Sequence, residues 1–191
     1  MKVQFSALVL ALLWPAAWAA PITYSSNLSG LNEAPPNASA GTGLALVTID
    51  TVAHTLSVDV SFSGLSGLVT ASHIHCCTAS PLTGTAGVAT MVPTFLGFPS
   101  GVTSGSYSHT FDLTMTPSFN PAFVTLHGGS LSSAETDLAA GMAAGRAYLN
   151  IHTNAFPGGE IRGFLTPVPE PGTFVLAAAV LLVPILRRRR T

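Results

Sequence analysis

The sequence predicts an all-β domain, an antiparallel Greek-key-like β-sandwich of about eight short strands with one short helix. Three observations predict it. Thr42 to Asp50 and Thr55 to Ser63 alternate apolar and polar residues with a period of two, the pattern of strands that bury one face. Turn-forming clusters recur at short intervals, at Asn32 to Asn37, Gly64 to Gly67 and Pro157-Gly158-Gly159. Between the two ends of the chain only Ser132 to Ala144 has the composition of a good helix.

Taken in order, Ile22 to Leu31 is a first strand with Ser, Thr and Asn interleaved, and the adjacent Pro35 and Pro36 close it off because proline cannot continue a ladder. In Thr42 to Asp50, Ala45, Val47 and Ile49 lie on one face and Leu44, Leu46, Thr48 and Asp50 on the other. In Thr55 to Ser63, Leu56, Val58, Val60 and Phe62 form the apolar face. Thr51 to His54 connects the two, with His54 solvated in the loop. Val69 to His75 is the next strand, and Ala86 to Val92 a further short one. Phe95 to Gly105, rich in Gly, Pro and Ser, reads as a long surface loop. Tyr107 to Thr116 alternates again and sets His109 at the edge of the core beside Tyr107, Phe111, Leu113 and Met115. Pro117 to Gly129 is irregular, with His127 before a Gly-Gly turn. The helix at Ser132 to Ala144 carries a capping-box pattern, Ser132 with Glu135, and Gly145 ends it. Arg146 to His152 and Glu160 to Leu165 are the last two strands.

The ends are of a different kind. Met1-Lys2, the apolar Ala7 to Leu13 and the small residues of Ala17-Trp18-Ala19 read as a secretory signal over residues 1–19, implying the Sec translocon and signal peptidase as partners. The globular domain is then 20–166. After it, Pro167 to Gly172 breaks regular structure. Residues 173–186 form an uncharged, mostly apolar run of 14 residues, and Arg187, Arg188, Arg189 and Arg190 follow. Such a run is short for a hydrocarbon core of roughly 30 Å, but snorkelling arginines and local thinning make up the difference. The arginine cluster would stay on the cytoplasmic side of the inner membrane and leave the domain outside.

Without these ends the charge changes sign of emphasis. The whole chain carries a net charge of −1, but between Ala20 and Thr166 only Arg146 and Arg162 face seven acidic residues, a net of −5. No lysine lies in that span. Nucleic acid, which needs a basic patch, is excluded as a partner. Asn27-Leu28-Ser29 and Asn37-Ala38-Ser39 match the N-glycosylation pattern and are read as chance matches.

Val168-Pro169-Glu170-Pro171, the apolar run and the arginine cluster together resemble the PEP-CTERM sorting signal of Gram-negative bacteria, over roughly residues 167 to 190. The resemblance implies recognition of Pro169, Glu170, Pro171 and Arg187 to Arg190 by an exosortase, transient residence in the inner membrane, removal of the tail, and a place at the cell surface or in the matrix. The domain itself resembles the CHRD family, named after chordin. The resemblance rests on Leu28-Ser29-Gly30-Leu31-Asn32-Glu33-Ala34-Pro35-Pro36, Val60-Ser61-Phe62-Ser63-Gly64-Leu65, Ala71-Ser72-His73-Ile74-His75, and Tyr148-Leu149-Asn150-Ile151-His152-Thr153 with Pro157-Gly158-Gly159-Glu160-Ile161-Arg162-Gly163. It implies an extracellular β-rich domain and no particular activity. Cys76-Cys77 departs from the family pattern, which has a Gly-Pro turn there.

Chemistry, if the domain has any, belongs to its histidines. Residues i and i+2 of a strand share a face about 7 Å apart, so His73 and His75 project together, and Asn150 projects with His152. With Ile74, Leu149 and Ile151 turned to the core, the three histidines are expected on the outer face or at a strand end. Three imidazoles in this pattern suit copper or zinc. The His-x-His strand is also similar to that of the copper-zinc superoxide dismutases, although no segment clearly supplies the other ligands of that enzyme. Cys76 and Cys77 are the only cysteines. Three readings stay open for them: a vicinal disulfide, a soft metal ligand beside His75, or free and intermolecular thiols. Glu160 and Arg162 share a strand face, either paired with each other or orienting a histidine. The sequence contains no Gly-x-Ser-x-Gly and no Gly-rich phosphate cradle. Two functions follow. One is an exported, non-enzymatic surface or matrix module that binds an extracellular polymer or protein. The other is a copper- or zinc-binding extracellular metalloprotein with superoxide-dismutase-like redox activity.

Overall fold

The computed structural model describes residues 20–169. The secretory signal, residues 173–186 and the arginine cluster lie outside them. Among the described residues no helix is long and apolar enough to cross a membrane.

Eight strands run β1 (Ile22–Ser29), β2 (Thr42–Asp50), β3 (Thr55–Ser63), β4 (Val69–His75), β5 (Gly105–Asp112), β6 (Tyr148–Thr153), β7 (Ile161–Phe164) and β8 (Thr166–Pro167). Two helices, α1 (Pro121–Leu126) and α2 (Leu131–Ala143), lie between β5 and β6. The strands form one antiparallel sheet in the order β4-β6-β7-β1-β2-β3-β5, with β8 beside β1, curled into a half-barrel. The crossing from β3 to the far edge at β4, and back to β5, brings the two halves over a common core.

The alternation of β2 and β3 is realised as expected. Ala45, Val47 and Ile49 face Val60, Val58 and Leu56 across the ladder, all buried, while Leu44 and Leu46 stay exposed. The expected helix is α2, but its cap is Ser130, whose Oγ accepts from Ser133 N, and not Ser132. Glu135 is therefore free to turn inward, where a carboxylate oxygen lies 2.8 Å from His54 Nδ1. The stretch before it is not wholly irregular. Asn120 caps α1, and Pro121 sits at a first-turn position, where its missing N–H costs nothing.

The segment between β4 and β5 differs most from expectation. Residues 86–92 form only isolated bridges, and side-chain hydroxyls take the places of ladder carbonyls. Ile74 N donates to Thr90 Oγ1 and Ser72 N to Thr94 Oγ1, each at 2.9 Å. Backbone bonds from Ala89 to Ile74, Phe95 to Ser72 and Gly101 to Val69 complete the cover over the β4 edge, which would otherwise be an open template for pairing. The glycine- and proline-rich stretch that follows is no mere surface loop. Phe95 is fully buried, stacks on Tyr107 and packs at a tilt against Phe111, and Phe98 stacks on Phe62.

Candidate metal centre

The site begins with register. Across β4, β6 and β7, His73 is opposite Asn150 and Asn150 opposite Arg162. One row along, His75 is opposite Tyr148 and Tyr148 opposite Phe164, while His152 is opposite Ala71. Ile74, Leu149 and Ile151 alternate with these residues and are fully buried in the apolar core. The polar rows thus occupy the outer face of the sheet, as the alternation requires.

That face is not exposed. Loops cover it, and His73, His75, Asn150, Arg162 and Glu33 are all buried. His75 Nδ1 donates to Ala86 O at 2.8 Å and His152 Nδ1 to Pro157 O at 2.9 Å. Arg162 Nε donates to Asn32 O, and Nη1 to Gly84 O at 3.2 Å. Its guanidinium lies 4.6 Å from the Tyr148 ring centroid, and Tyr148 stacks on His75 at 4.7 Å.

Under this cover one ring nitrogen from each of His73, His75 and His152 lies within 4.8 Å of the other two. The bonds to Ala86 and Pro157 fix His75 and His152 as Nδ1–H tautomers, leaving each Nε2 a lone pair. His152 Nε2 is 3.1 Å from His73 Nε2, so in the absence of a cation His73 supplies the proton between them. His73 Nδ1 and His75 Nε2 are then buried with no hydrogen-bond partner. Burial, then the neighbouring imidazoles His75 and His152, lowers the pKa of His73 from 6.5 to about 3, against the nearby Pro93 carbonyl. Burial likewise lowers His75 to about 4, against the bond to Ala86. Burial also lowers His152, against the bond to Pro157. All three rings are neutral at physiological pH, the form that ligates a metal.

Among the described residues six buried side-chain polar atoms lack a partner, and four of them are on this face: His73 Nδ1, His75 Nε2, Asn150 Oδ1 and Glu33 Oε1. Buried polar groups are normally satisfied, so their concentration here marks a place built for something other than packing. Glu33 Oε2 is 3.7 Å from Arg162 Nε. Burial nevertheless raises the Glu33 pKa from 4.5 to about 7, against the pull of Arg162 and of the Ala34 amide.

The CHRD domain model matches residues 24–165, about three quarters of the chain, and reaches every strand but the last. The chain belongs to the CHRD family. A second match, to the PEP-CTERM protein-sorting motif, covers residues 167–190. The protein is therefore exported and sorted to the bacterial cell surface by an exosortase. Searches of curated proteins and of solved structures found no match.

The remaining residues singled out in the sequence of this CHRD protein fall elsewhere. Glu160 neither pairs with Arg162 nor bonds any histidine in the described residues. Its Oε1 accepts from Ser39 Oγ and Ser66 N, and its Oε2 from Gly67 N and Thr153 Oγ1. Burial alone would raise its pKa, and these four bonds, Ser39 foremost, bring it below the ordinary value. Glu160 is a clamp between three loops. Cys76 and Cys77 are joined in a vicinal disulfide, and their peptide bond is cis. Two residues of the CHRD seam went unrecognised in the sequence. Glu33 lies in a proline-bounded loop with nothing to mark its tie to Arg162, and Tyr148 is identifiable only once its register with His75 is known.

Proposed function

We propose that the CHRD domain is a surface-displayed binding module, not an enzyme, and that it binds one zinc or copper ion through His73, His75 and His152. The observation that carries this reading is the tautomer pattern: two imidazoles have their Nδ1–H groups held by the carbonyls of Ala86 and Pro157, turning Nε2 lone pairs toward a third. Outer hydrogen bonds of this kind orient metal-bound histidines. With Zn–N bonds of about 2.0–2.1 Å, tetrahedral ligation sets nitrogens about 3.3 Å apart, close to the 3.1 Å of the His73–His152 pair. Moving the His73 proton to Nδ1, toward the Pro93 carbonyl, would free its Nε2 and give the orphaned Nδ1 a role. Bound there, the ion would supply Lewis acidity or, as copper, a redox centre. The loops over His73 and His75 limit substrate access, which favours binding over turnover.

The test is metal analysis of the exported protein, prepared without a histidine tag and exposed in turn to zinc and copper. One ion per chain is expected, with at least a hundredfold loss of affinity in His75→Ala and His152→Ala. Failure to retain either metal, or retention unaffected by both substitutions, refutes the reading and leaves a neutral imidazole cluster that serves the fold. Superoxide dismutation by the copper-loaded chain would instead favour the redox function.

A further inference from the structure

Cys76 and Cys77 have no part in the histidine site, yet they do not lie idle in the core. They form one wall of a separate cleft of about 650 Å³, bounded by Ala86-Gly87, the end of α1 and the second half of α2. Cys76 is buried and Cys77 only partly so. The helix is fitted to the sulfurs. A Cβ on Gly141 would collide with both Sγ atoms, and Ala140 and Ala144 are the next small residues along the cleft.

Opposite the disulfide stands an acid–imidazole pair. His127 Nδ1 is 2.8 Å from Asp137 Oδ2, and the Asp137 carbonyl is 3.7 Å from Cys77 Sγ. The His127 ring packs on Phe123 with centroids 4.0 Å apart, and its backbone N–H is held by Phe123 and Val124. A carboxylate on Nδ1 fixes the neutral ring as the Nδ1–H tautomer and leaves Nε2 as a base. Arg146, its Nε on the Thr78 carbonyl, adds a positive charge to the same cleft. A disulfide whose second cysteine is only partly buried, an oriented base and a cation lining a cleft the size of a small molecule are the equipment of thiol–disulfide exchange.

We propose that this cleft is a thiol–disulfide exchange site for small dithiols, with His127 as the proton carrier, independent of any metal at the histidine cluster. One thiol of the dithiol gives its proton to His127 and attacks Cys77 Sγ. A new S–S bond forms there and the Cys76–Cys77 bond breaks. The electron pair passes to Cys76 Sγ, which takes the proton from His127. The second thiol of the small molecule then attacks the mixed disulfide and releases Cys77 as a thiol and the reagent as a cyclic disulfide. Two electrons move from dithiol to protein, and the reverse sequence restores the bond.

The experiment compares two reductants on the exported protein near pH 7. Dithiothreitol must lose a proton to attack. A tris-carboxyethyl phosphine attacks without one. The appearance of Cys76 and Cys77 thiols is followed by alkylation and mass measurement. A thiol no more acidic than free cysteine, with a pKa of about 8.5 or above, is at most about 3 % ionised at pH 7, which leaves a base room to accelerate its attack by roughly thirtyfold or more. His127→Gln should slow reduction by dithiothreitol about tenfold and leave the phosphine rate unchanged. Asp137→Asn, on the exposed side of the pair, should shift the ratio in the same direction and stands in if His127→Gln does not fold. Equal changes in both rates would reveal a merely structural role and overturn the proposal. So would unchanged rates in both variants, or finding the two cysteines unbonded in the exported protein.

Discussion

Acid should weaken the CHRD domain, and neutralising Glu33 should make it more sensitive to acid. His73 and His75 titrate at about 3 and about 4 in the fold against 6.5 when unfolded. A histidine with a depressed folded pKa holds its stability above the unfolded value and loses it as pH falls below 6.5. Linkage makes this a loss of about 2 kcal/mol for each ring between pH 7.5 and pH 5, with His152 adding in the same direction. Glu33 works the other way. Its pKa rises from 4.5 to about 7 on folding, so the stability tied to its protonated form is present below 4.5 and lost as pH rises through 7. From pH 7.5 to pH 5 it returns about 2 kcal/mol. The native protein therefore loses about 2 kcal/mol net, and Glu33→Gln, which keeps the neutral form at every pH, loses about 4. The variant should be the more stable by about 3 kcal/mol at pH 7.5 and by only about 1 at pH 5.

The assay is urea unfolding of chelator-treated protein at the two pH values, followed by far-UV circular dichroism because both tryptophans, Trp14 and Trp18, precede the domain. A stability gap between the two proteins that does not change with pH would refute the assignment to Glu33. A Glu33→Gln protein indifferent to acid would refute the assignment to the histidines.

Two further substitutions test what holds the seam in place. Glu160→Gln loses a charged acceptor that serves four donors, including the amides of Ser66 and Gly67, and should cost about 2–4 kcal/mol in chemical unfolding; a cost below 0.5 would show that the clamp is dispensable. Gly163→Ala places a methyl group against Ser26 Oγ and the Asn27 backbone, where β7 meets β1, and should cost about 2–3 kcal/mol, or roughly 4–12 °C in melting temperature; an unchanged melting temperature would mean that the two strands separate more easily than their packing implies.

The two halves of the sheet were unequally legible. In β2 and β3 one face meets the core and the other meets water, so the residue pattern and the burial pattern are the same pattern. In β4 and β6 most residues of both faces are buried, since apolar side chains meet the core on one side and polar side chains meet loops on the other. Sequence reasoning reads a polar face as a wet one, and so found the shared face of His73, His75 and His152 without its cover. The cover consists of backbone carbonyls from Ala86, Pro157, Asn32 and Gly84, which residue types do not encode. The same limit misdirected Arg162. Its spacing from Glu160 is that of a shared face, but Glu160 is taken by Ser39, Ser66, Gly67 and Thr153, and the Arg162 partner Glu33 is supplied by a distant loop. His127 and Asp137 are brought together only by the turn between α1 and α2.

Charge connects the fold with the kind of ligand its surface admits. The domain has two cations against seven acids, and both cations are committed to backbone carbonyls, Arg146 to Thr78 and Arg162 to Asn32 and Gly84. Arg162 is the one nearest the histidines, and its charge helps to keep His75 unprotonated. Were it alone it would also repel a metal ion. Glu33 offsets it, but only when ionised, and burial has moved that ionisation to about pH 7. The remaining acidic surface attracts cations over a range that salt shortens to about 10 Å at 0.1 M. A cation approaching in neutral or mildly alkaline water thus meets a negative surface, neutral imidazoles and a compensated arginine. In acid it meets an uncompensated arginine first, because Glu33 takes up its proton near pH 7, and protonated imidazoles only well below that.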